Sequence, residues 1–181
     1  RLTAGDDSRT ILPQARGGGF PVVASRPPSL FSPDPLLPSS LTVSVVTYRP
    51  DVVLLERCLR KLALAIGAAR EEGSIRSVAI ALIDNSEDRA IAARVIELGQ
   101  TRFADSGMQI HYLHGHANIG YGTAHNLALH GTGADYQLVL NPDVELAPDA
   151  LARAVRWLDA HPDVGALAPA VTNAQGQPEY L

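Results

Sequence analysis

Two acidic residues stand directly after apolar segments of this sequence. Asp84 follows the apolar run at 77–83, and Asp143 follows the run at 136–140 after Asn141 and Pro142. A carboxylate at the end of a strand can bind a hard cation, and Mg²⁺ in proteins is usually held by one or two carboxylates together with substrate phosphates. Asp143 is therefore a candidate anchor for a metal–diphosphate complex. Asp84 is a candidate acceptor for a hydroxyl or a base N–H group further along the same cleft.

Both acids also have a simpler interpretation as turn residues. Asp and Asn side chains hydrogen-bond to their own backbone, and Asp-Asn-Ser at 84–86 and Asn-Pro-Asp at 141–143 are ordinary turn sequences. For either residue alone this alternative stays open. The placement of both at the same edge of one parallel sheet favours binding chemistry.

A glycine-containing segment lies between the two acids, at 118–126. Glycines before a short helix allow a ligand to approach the backbone closely, and the N–H groups at the helix N-terminus attract an anion. As a dinucleotide fingerprint the segment is poor, because Gly120 and Gly122 fit the first two glycine positions but His125 occupies the third. If the chain is helical from Gly122, Asn118 and Asn126 lie near one face with it and direct two amides into the cleft. The alternative is that these asparagines cap the loop and the helix.

The elements that position these residues are read from alternating apolar blocks. Val- and Thr-rich or nearly continuous apolar runs predict strands, and apolar residues spaced three and four apart predict helices. Pro148 is expected at the first helical position of the last helix, with Asp149 after it. The strands are expected at 41–47, 77–83, 109–113, 136–140 and 164–168, and the helices at 52–69, 88–98, 122–130 and 148–160. Strands that alternate with helices predict an α/β domain with a mainly parallel sheet, in which ligands bind at the carboxyl ends of the strands.

Composition limits the class of protein. The 181 residues carry 15 Lys and Arg against 19 Asp and Glu, and this negative balance argues against phosphate-neutralising nucleic-acid binding. A single cysteine, Cys58, excludes a disulfide framework within the chain and occupies a helical core position. Five histidines between 111 and 130 have no cysteine partner and no His-Glu-x-x-His pattern, so we interpret them as solvated or loop-bonded rather than zinc-binding.

The chain divides into two parts by composition. Residues 1–40 are rich in Pro, Gly and Ser without a sustained period, which predicts an irregular N-terminal arm. A short strand at 20–24 that docks on the body is the alternative. Residues 41–181 are expected to form the folded domain.

Four segments resemble family 2 glycosyltransferases of the GT-A fold. They occur in the family's order and approximate spacing: Val-Ser-Val-Val-Thr-Tyr at 43–48, Ile-Asp-Asn-Ser at 83–86, the Asn-x-Gly-x-Gly-x-Ala-x-Asn segment at 118–126, and Asn-Pro-Asp-Val at 141–144. The last form is most similar to the rhamnosyltransferase branch, which uses dTDP-L-rhamnose to build bacterial cell-surface polysaccharides. The resemblance covers roughly residues 41–171 and implies a GT-A, Rossmann-like α/β fold.

The resemblance also implies roles for individual residues. Thr47 and Tyr48 would line the nucleotide pocket, and Asp84 with Asn85 would contact the base or ribose. Asn141 stands where the family has the first acid of its D-x-D motif, and it can coordinate through its amide oxygen without bringing charge. Asp143 would then be the principal protein ligand of Mg²⁺ or Mn²⁺. The residues implied beside the diphosphate and the donor sugar are Asn118, Gly120, Gly122 and Asn126.

The implied reaction is inverting sugar transfer from a nucleoside-diphosphate sugar to a saccharide or lipid-linked acceptor. The family's general base lies well downstream of the metal motif, so we expect it beyond Leu181 and expect the GT-A fold here to be incomplete at its C-terminus. Glu145, Asp149 and Glu179 do not match the position of that base. A lipid-linked acceptor would place the protein in the cytoplasm, at the inner face of the cytoplasmic membrane.

Two alternatives remain at this point. The chain could be a non-catalytic nucleotide-binding or interaction module, or a family 2 transferase that uses a UDP-sugar. Thymine and uracil differ by one methyl group, which a hydrophobic pocket discriminates only modestly.

Overall fold

The computed structural model describes residues 39–130 and 132–173, together with 175 and 177. The predicted arm at 1–40, its alternative strand at 20–24 and Glu179 fall outside these residues, apart from 39 and 40. Eight elements follow one another in strict alternation. They are β1 (Ser39–Thr47), α1 (Val52–Glu71), β2 (Ile75–Asp84), α2 (Arg89–Phe103), β3 (Gln109–Leu113), α3 (Tyr121–Leu129), β4 (Tyr136–Leu140) and α4 (Ala150–Ala160).

The four strands form one parallel sheet in the order β3-β2-β1-β4. The chain adds β2 and β3 on one side of β1 and then crosses back to place β4 on the other side. Strand order therefore reverses at β1, which is where open α/β sheets bind their ligands, at the carboxyl ends of the strands. Thr47 pairs with Asp84 in register, so the ends of β1 and β2 are level. The predicted α/β fold with a parallel sheet is confirmed.

Helices cover both faces of this sheet. Alternate residues of β1 point in opposite directions: Val43 and Val45 belong to the larger core beneath α1, α2 and α4, whereas Val46 packs under α3. The larger core takes the buried face of α1, including Leu55, Leu59 and Leu62. Burial on both sides explains why β1 and β2 are nearly continuous apolar runs rather than alternating ones.

Side-chain hydrogen bonds set the ends of several elements. Asp51 Oδ1 accepts the Val53 and Leu54 N–H groups at 2.8 and 3.1 Å, which fixes the start of α1. Asp88 caps α2 through the Ala90 N–H at 2.8 Å. β1 begins at Ser39, earlier than predicted, and Asp135 holds this end by accepting the Ser40 N–H at 2.9 Å and its hydroxyl at 2.7 Å.

Three local predictions are wrong. α2 runs to Phe103, past the predicted end at residue 98, because Phe103 is buried and Gly99 lets the helix pack closely on the sheet. α4 begins at Ala150 with Asp149 as its N-cap, so Pro148 lies in the preceding turn, which the Ala150 N–H closes on the Ala147 carbonyl at 3.1 Å. The strand predicted at 164–168 is absent from the described sheet. Its residues follow a turn and are mostly exposed.

None of the helices in the described part of the chain is both long and apolar enough to cross a lipid bilayer.

Candidate functional site

The carboxyl ends of β1, β2 and β4 meet at one edge of the sheet, and the polar segments that follow them form the candidate site. β4 pairs with β1 so that Leu140 is level with Val45, which brings Asn141 to the same edge as Thr47. α3 enters this edge from the loop after β3. The structure therefore brings the four sequence segments together at the predicted place.

Asp84 is the most heavily bonded residue of the site. It is 2% exposed, and its Oδ1 accepts three hydrogen bonds: from the Thr47 hydroxyl at 2.9 Å, the Ser86 hydroxyl at 2.8 Å and the Ser86 N–H at 3.2 Å. Its Oδ2 is buried and has no partner among the described residues. One oxygen thus anchors the side chain, and the other is left to accept a donor from a ligand.

Asn85 presents a second buried acceptor beside the first. Its backbone N–H extends the sheet by donating to the Thr47 carbonyl at 2.8 Å, and its side-chain amide donates to the Gly120 carbonyl at 3.3 Å. Its Oδ1 is buried without a partner in the described part of the chain. Buried acceptors without a partner are costly, so this pair favours a ligand or a bound water that brings N–H or O–H donors.

The turn after β1 is strained and carries an exposed aromatic ring of the site. Arg49 adopts a φ of +47°, in the left-handed region, and its N–H donates to the Ser86 hydroxyl at 2.8 Å. The Arg49 guanidinium lies 5.4 Å from the centre of the Tyr48 ring, which is half exposed. Thr47 is fully buried and its hydroxyl donates to Asp84, so it orients that carboxylate; its place in the nucleotide pocket stays a prediction.

The loop before α3 is shaped by Gly120. This residue is the N-cap of the helix with a φ of +85°, and Asn118 Oδ1 accepts its N–H at 3.0 Å. Asn118 therefore lies outside the helix. The prediction that it shares a helical face with Gly122 and Asn126 is wrong. Gly122 and Asn126 are exposed on α3, and a Cβ at Gly122 would meet no atom within 4 Å. No side chain caps α3, so its first N–H groups remain available to an anion.

The segment after β4 is held by α1 and α3. The Tyr121 hydroxyl donates to Asn141 Oδ1 at 2.6 Å, and the Asn141 carbonyl accepts the Val144 N–H at 3.3 Å and the Cys58 thiol at 3.4 Å. Glu145 forms an ion pair with Arg57 of α1. Asp143 and Glu145 are both exposed, but Asp143 has no hydrogen-bond or ion-pair partner among the described residues.

Asp143 acts electrostatically on two of these neighbours. Burial first, and then the charges of Asp143 and Glu145, raise the pKa of Cys58 to about 12. The pKa of Tyr121 is raised by burial and then by Asp143. Cys58 is fully buried, as predicted for a core position, and stays a thiol at neutral pH.

A buried pair beneath α3 was missed from the sequence. His125 is 3% exposed, its Nδ1 is hydrogen-bonded to the Ser44 hydroxyl, and its Nε2 is buried without a partner among the described residues. Burial lowers the pKa of His125, and its ring stands edge-on to Tyr121 with 4.3 Å between the ring centres. The interpretation of this histidine as solvated or loop-bonded is therefore wrong, as it is for His116, whose two ring nitrogens are buried without a partner among the described residues. The available signal for His125 was Ser44, a hydroxyl between two valines of a buried strand.

The donor set at the site fits a divalent cation held largely by a substrate. Within residues 39–130, 132–173, 175 and 177, no three His, Cys, Asp or Glu side chains come close enough to hold a metal ion by themselves. Asp143 supplies one free carboxylate, and the Asn141 amide oxygen is occupied by Tyr121. One carboxylate plus phosphate and water oxygens is the usual arrangement for Mg²⁺.

Comparison with known sequences assigns the family. The sequence pattern of glycosyl transferase family 2 matches residues 43–180, which include every segment of the site. The chain belongs to glycosyl transferase family 2. The predicted family and its GT-A-like fold are thereby confirmed.

Two relatives add detail. They are N-acetylglucosaminyl-diphospho-decaprenol L-rhamnosyltransferases from Mycobacterium tuberculosis, strains CDC 1551 / Oshkosh and ATCC 25618 / H37Rv. Each is 34% identical over 152 residues, and each alignment covers 75% of this chain and 42% of the relative. The chain thus spans less than half the length of these curated relatives.

Proposed function

We propose that this chain carries the donor site of an inverting glycosyltransferase that transfers L-rhamnose from dTDP-L-rhamnose to a lipid-linked saccharide. The observation that carries the proposal is the pair of buried, unpartnered acceptors, Asp84 Oδ2 and Asn85 Oδ1, at the carboxyl edge of the sheet. A pyrimidine nucleoside supplies matching donors in its ring N–H and ribose hydroxyls. Membership of family 2 and the rhamnosyltransferase relatives support the sugar-transfer reaction.

Different elements of the site would contact different parts of the nucleotide-sugar donor. Asp84 and Asn85 would accept hydrogen bonds from the base or ribose, and the half-exposed Tyr48 would lie along the nucleotide. The N-terminus of α3, opened by Gly120 and Gly122, would face the diphosphate because its uncapped N–H groups favour negative charge. Asn118 and Asn126 would lie beside the diphosphate and donor sugar.

Asp143 would hold the Mg²⁺ or Mn²⁺ that the diphosphate brings. When bound, such a cation stabilises the negative charge that develops on the leaving diphosphate. The carboxylate of Asp143 would orient that complex at the end of β4, while the contacts from Cys58 and Tyr121 keep the segment in place. The acceptor hydroxyl oxygen would bond to the anomeric carbon from the side opposite the diphosphate while the bond from that carbon to the diphosphate oxygen breaks. The nucleoside diphosphate then leaves, and the hydroxyl proton passes to a general base.

The described acids near Asp143 do not supply that base. Glu145 is paired with Arg57, and Asp149 is bound to Arg153 at 3.4 Å on the surface of α4. We therefore assign no catalytic base within the described residues. A lipid-linked acceptor would bring the protein to the inner face of the cytoplasmic membrane.

Calorimetric titration tests the donor site directly. We expect dTDP to bind more tightly with Mn²⁺ than without it. The affinity for UDP should be similar to that for dTDP or lower. Asp143→Asn should remove the gain from Mn²⁺ and keep metal-free binding. Asp105→Asn makes the same change in an exposed turn before β3 and should alter neither. The proposal is wrong if neither nucleotide binds, or if Asp143→Asn leaves the Mn²⁺ gain intact.

A separate assay addresses the transfer step. Mass spectrometry of a GlcNAc-diphospho-lipid, incubated with dTDP-L-rhamnose and a chain that includes the general base expected downstream of the metal motif, should reveal a product heavier by one deoxyhexose. Nucleotide binding without this product would favour the non-catalytic alternative. A product formed only from UDP-sugars would favour a different donor.

A further inference from the structure

The state of the Asn141 side chain bears on how the donor diphosphate is held. Asn141 stands in the metal motif, where an amide could contribute either its oxygen to a cation or its N–H groups to an anion. These two functions need opposite orientations of the same planar group. The contacts around Asn141 decide between them.

Both oxygens of Asn141 are already in use. Oδ1 accepts the Tyr121 hydroxyl at 2.6 Å, and the main-chain carbonyl accepts hydrogen bonds from Val144 and Cys58. The hydrogen bond from the phenol uses one of the two lone pairs of Oδ1 and withdraws electron density from the oxygen, which makes it a weaker ligand for a hard cation. The side-chain NH₂ group has no hydrogen-bond partner among the described residues and is free to donate to a ligand.

Tyr121 is itself fixed from the opposite side. Its ring meets the buried His125 ring edge-on at 4.3 Å, and His125 is bonded to Ser44 of β1. Tyr121 is also the first residue of α3, so its backbone moves with the helix N-terminus that faces the same edge. A phenol can also accept a hydrogen bond, so the two amide orientations differ in what becomes of the hydroxyl proton. With the Asn141 oxygen toward Tyr121 the O–H has an acceptor, whereas with the amide rotated it has none among the described residues.

We propose that Tyr121 is a positioning residue that holds the Asn141 amide with its oxygen toward the phenol and its NH₂ group toward the donor. Asn141 then donates hydrogen bonds to the diphosphate oxygens and is not a ligand of the metal ion. Asp143 remains the protein's ligand. This inference rests on the proposed nucleotide-sugar site, and within that site it assigns the diphosphate to Asn141 and the metal ion to Asp143.

The test measures two quantities by calorimetry: the affinity for dTDP in EDTA, and the gain in that affinity when Mn²⁺ is added. Asn141→Ala should weaken metal-free dTDP binding about tenfold, and Tyr121→Phe about three- to tenfold, the range expected for one or two hydrogen bonds. Both variants should keep the gain from Mn²⁺ within about twofold. These margins distinguish a hydrogen-bond donor to the diphosphate from a ligand of the metal ion.

A double variant shows whether Tyr121 acts through Asn141. In the Asn141→Ala background, Tyr121→Phe should cause little further loss of dTDP binding, because the group it positions is gone. Tyr136→Phe is the matched control, since it removes a phenol that donates to Asp159 at 2.5 Å on α4, and it should leave dTDP binding unchanged. The Asn141 side-chain amide resonances should shift when dTDP is added to the wild-type chain.

The outcomes are distinguishable. A tenfold loss of the gain that Mn²⁺ gives to dTDP binding in Asn141→Ala would make Asn141 a metal ligand and overturn the inference. Equal effects of Tyr121→Phe with and without Asn141 would overturn the positioning role. If wild type binds dTDP and neither variant changes that binding, this inference fails while the proposed function stands. If wild type binds no nucleotide, the proposed function fails as well.

Discussion

Asp84→Asn separates the two functions that the structure gives to one carboxylate. Oδ1 accepts three hydrogen bonds, from the Thr47 hydroxyl and from the hydroxyl and N–H of Ser86, and each of these donors needs an oxygen as its acceptor. Oδ2 is buried and has no partner among the described residues. An asparagine can satisfy the three internal donors only by keeping its oxygen in the Oδ1 position. Its NH₂ group then replaces Oδ2 and presents a donor where the ligand requires an acceptor.

The magnitudes follow from this geometry. A hydrogen bond to a charged group contributes about 1.5–3 kcal/mol, so Asp84→Asn should weaken dTDP binding about 10- to 100-fold. Its internal bonds survive, so the free energy of unfolding should fall by less than about 1 kcal/mol. Asp84→Ala leaves the buried Thr47 and Ser86 hydroxyls without their acceptor and should cost about 1–3 kcal/mol of stability in addition to binding.

Urea unfolding and calorimetric titration of dTDP measure the two quantities on the same samples. Asp135→Asn is the matched control, because this carboxylate accepts hydrogen bonds from Ser40 at the opposite end of β1. It should leave dTDP affinity unchanged. The reasoning is refuted if Asp84→Asn is as destabilising as Asp84→Ala while dTDP binds normally.

Three further predictions concern the packing around the site. The pKa of His125 is lowered in the folded chain, so near the ordinary value of 6.5 the unfolded chain binds more protons, and the free energy of unfolding should fall as pH drops through that value. His125→Gln should flatten this part of a pH profile measured by urea unfolding. An unchanged slope would contradict the prediction. Gly99→Ala places a Cβ 2.6 Å from Leu82 Cδ1 and should lower the unfolding free energy by about 1–3 kcal/mol, whereas Gly67→Ala on α1 meets nothing and should not. The Cys58 thiol, with a pKa of about 12, should resist iodoacetamide at pH 8 until urea unfolds the chain, and rapid labelling of the native protein would show that it is accessible.

The fold could be predicted from the sequence because each element carries a strong local signal. The apolar runs of β1 and β2 and the regular spacing of Leu55, Leu59 and Leu62 in α1 require no knowledge of distant residues. The extension of α2 past Gly99 could not, because it depends on close packing against Leu82. Element ends shift where tertiary contacts outweigh local propensity.

The site could be predicted in outline but not in its bonding. Residues at the ends of parallel strands meet by topology alone, so Asp84 and Asn141 were placed correctly at one edge. The bonds that fix them join residues far apart in sequence: Ser44 to His125 over 81 positions, Thr47 to Asp84 over 37, and Tyr121 to Asn141 over 20. Such pairs depend on strand register and helix rotation, which no local pattern determines.

Backbone amide chemical-shift mapping with dTDP is the most direct test of where the donor binds. The account predicts that the perturbed resonances cluster in four segments: 47–49, 84–86, 118–122 and 141–144. Elsewhere, a largely apolar cavity of about 220 Å³ lies between α1 and α2, lined by Leu55 and Val95 among others. Shifts confined to that cavity, or no shifts at saturating dTDP, would contradict the claim that the carboxyl edge of the sheet is a nucleotide-sugar site.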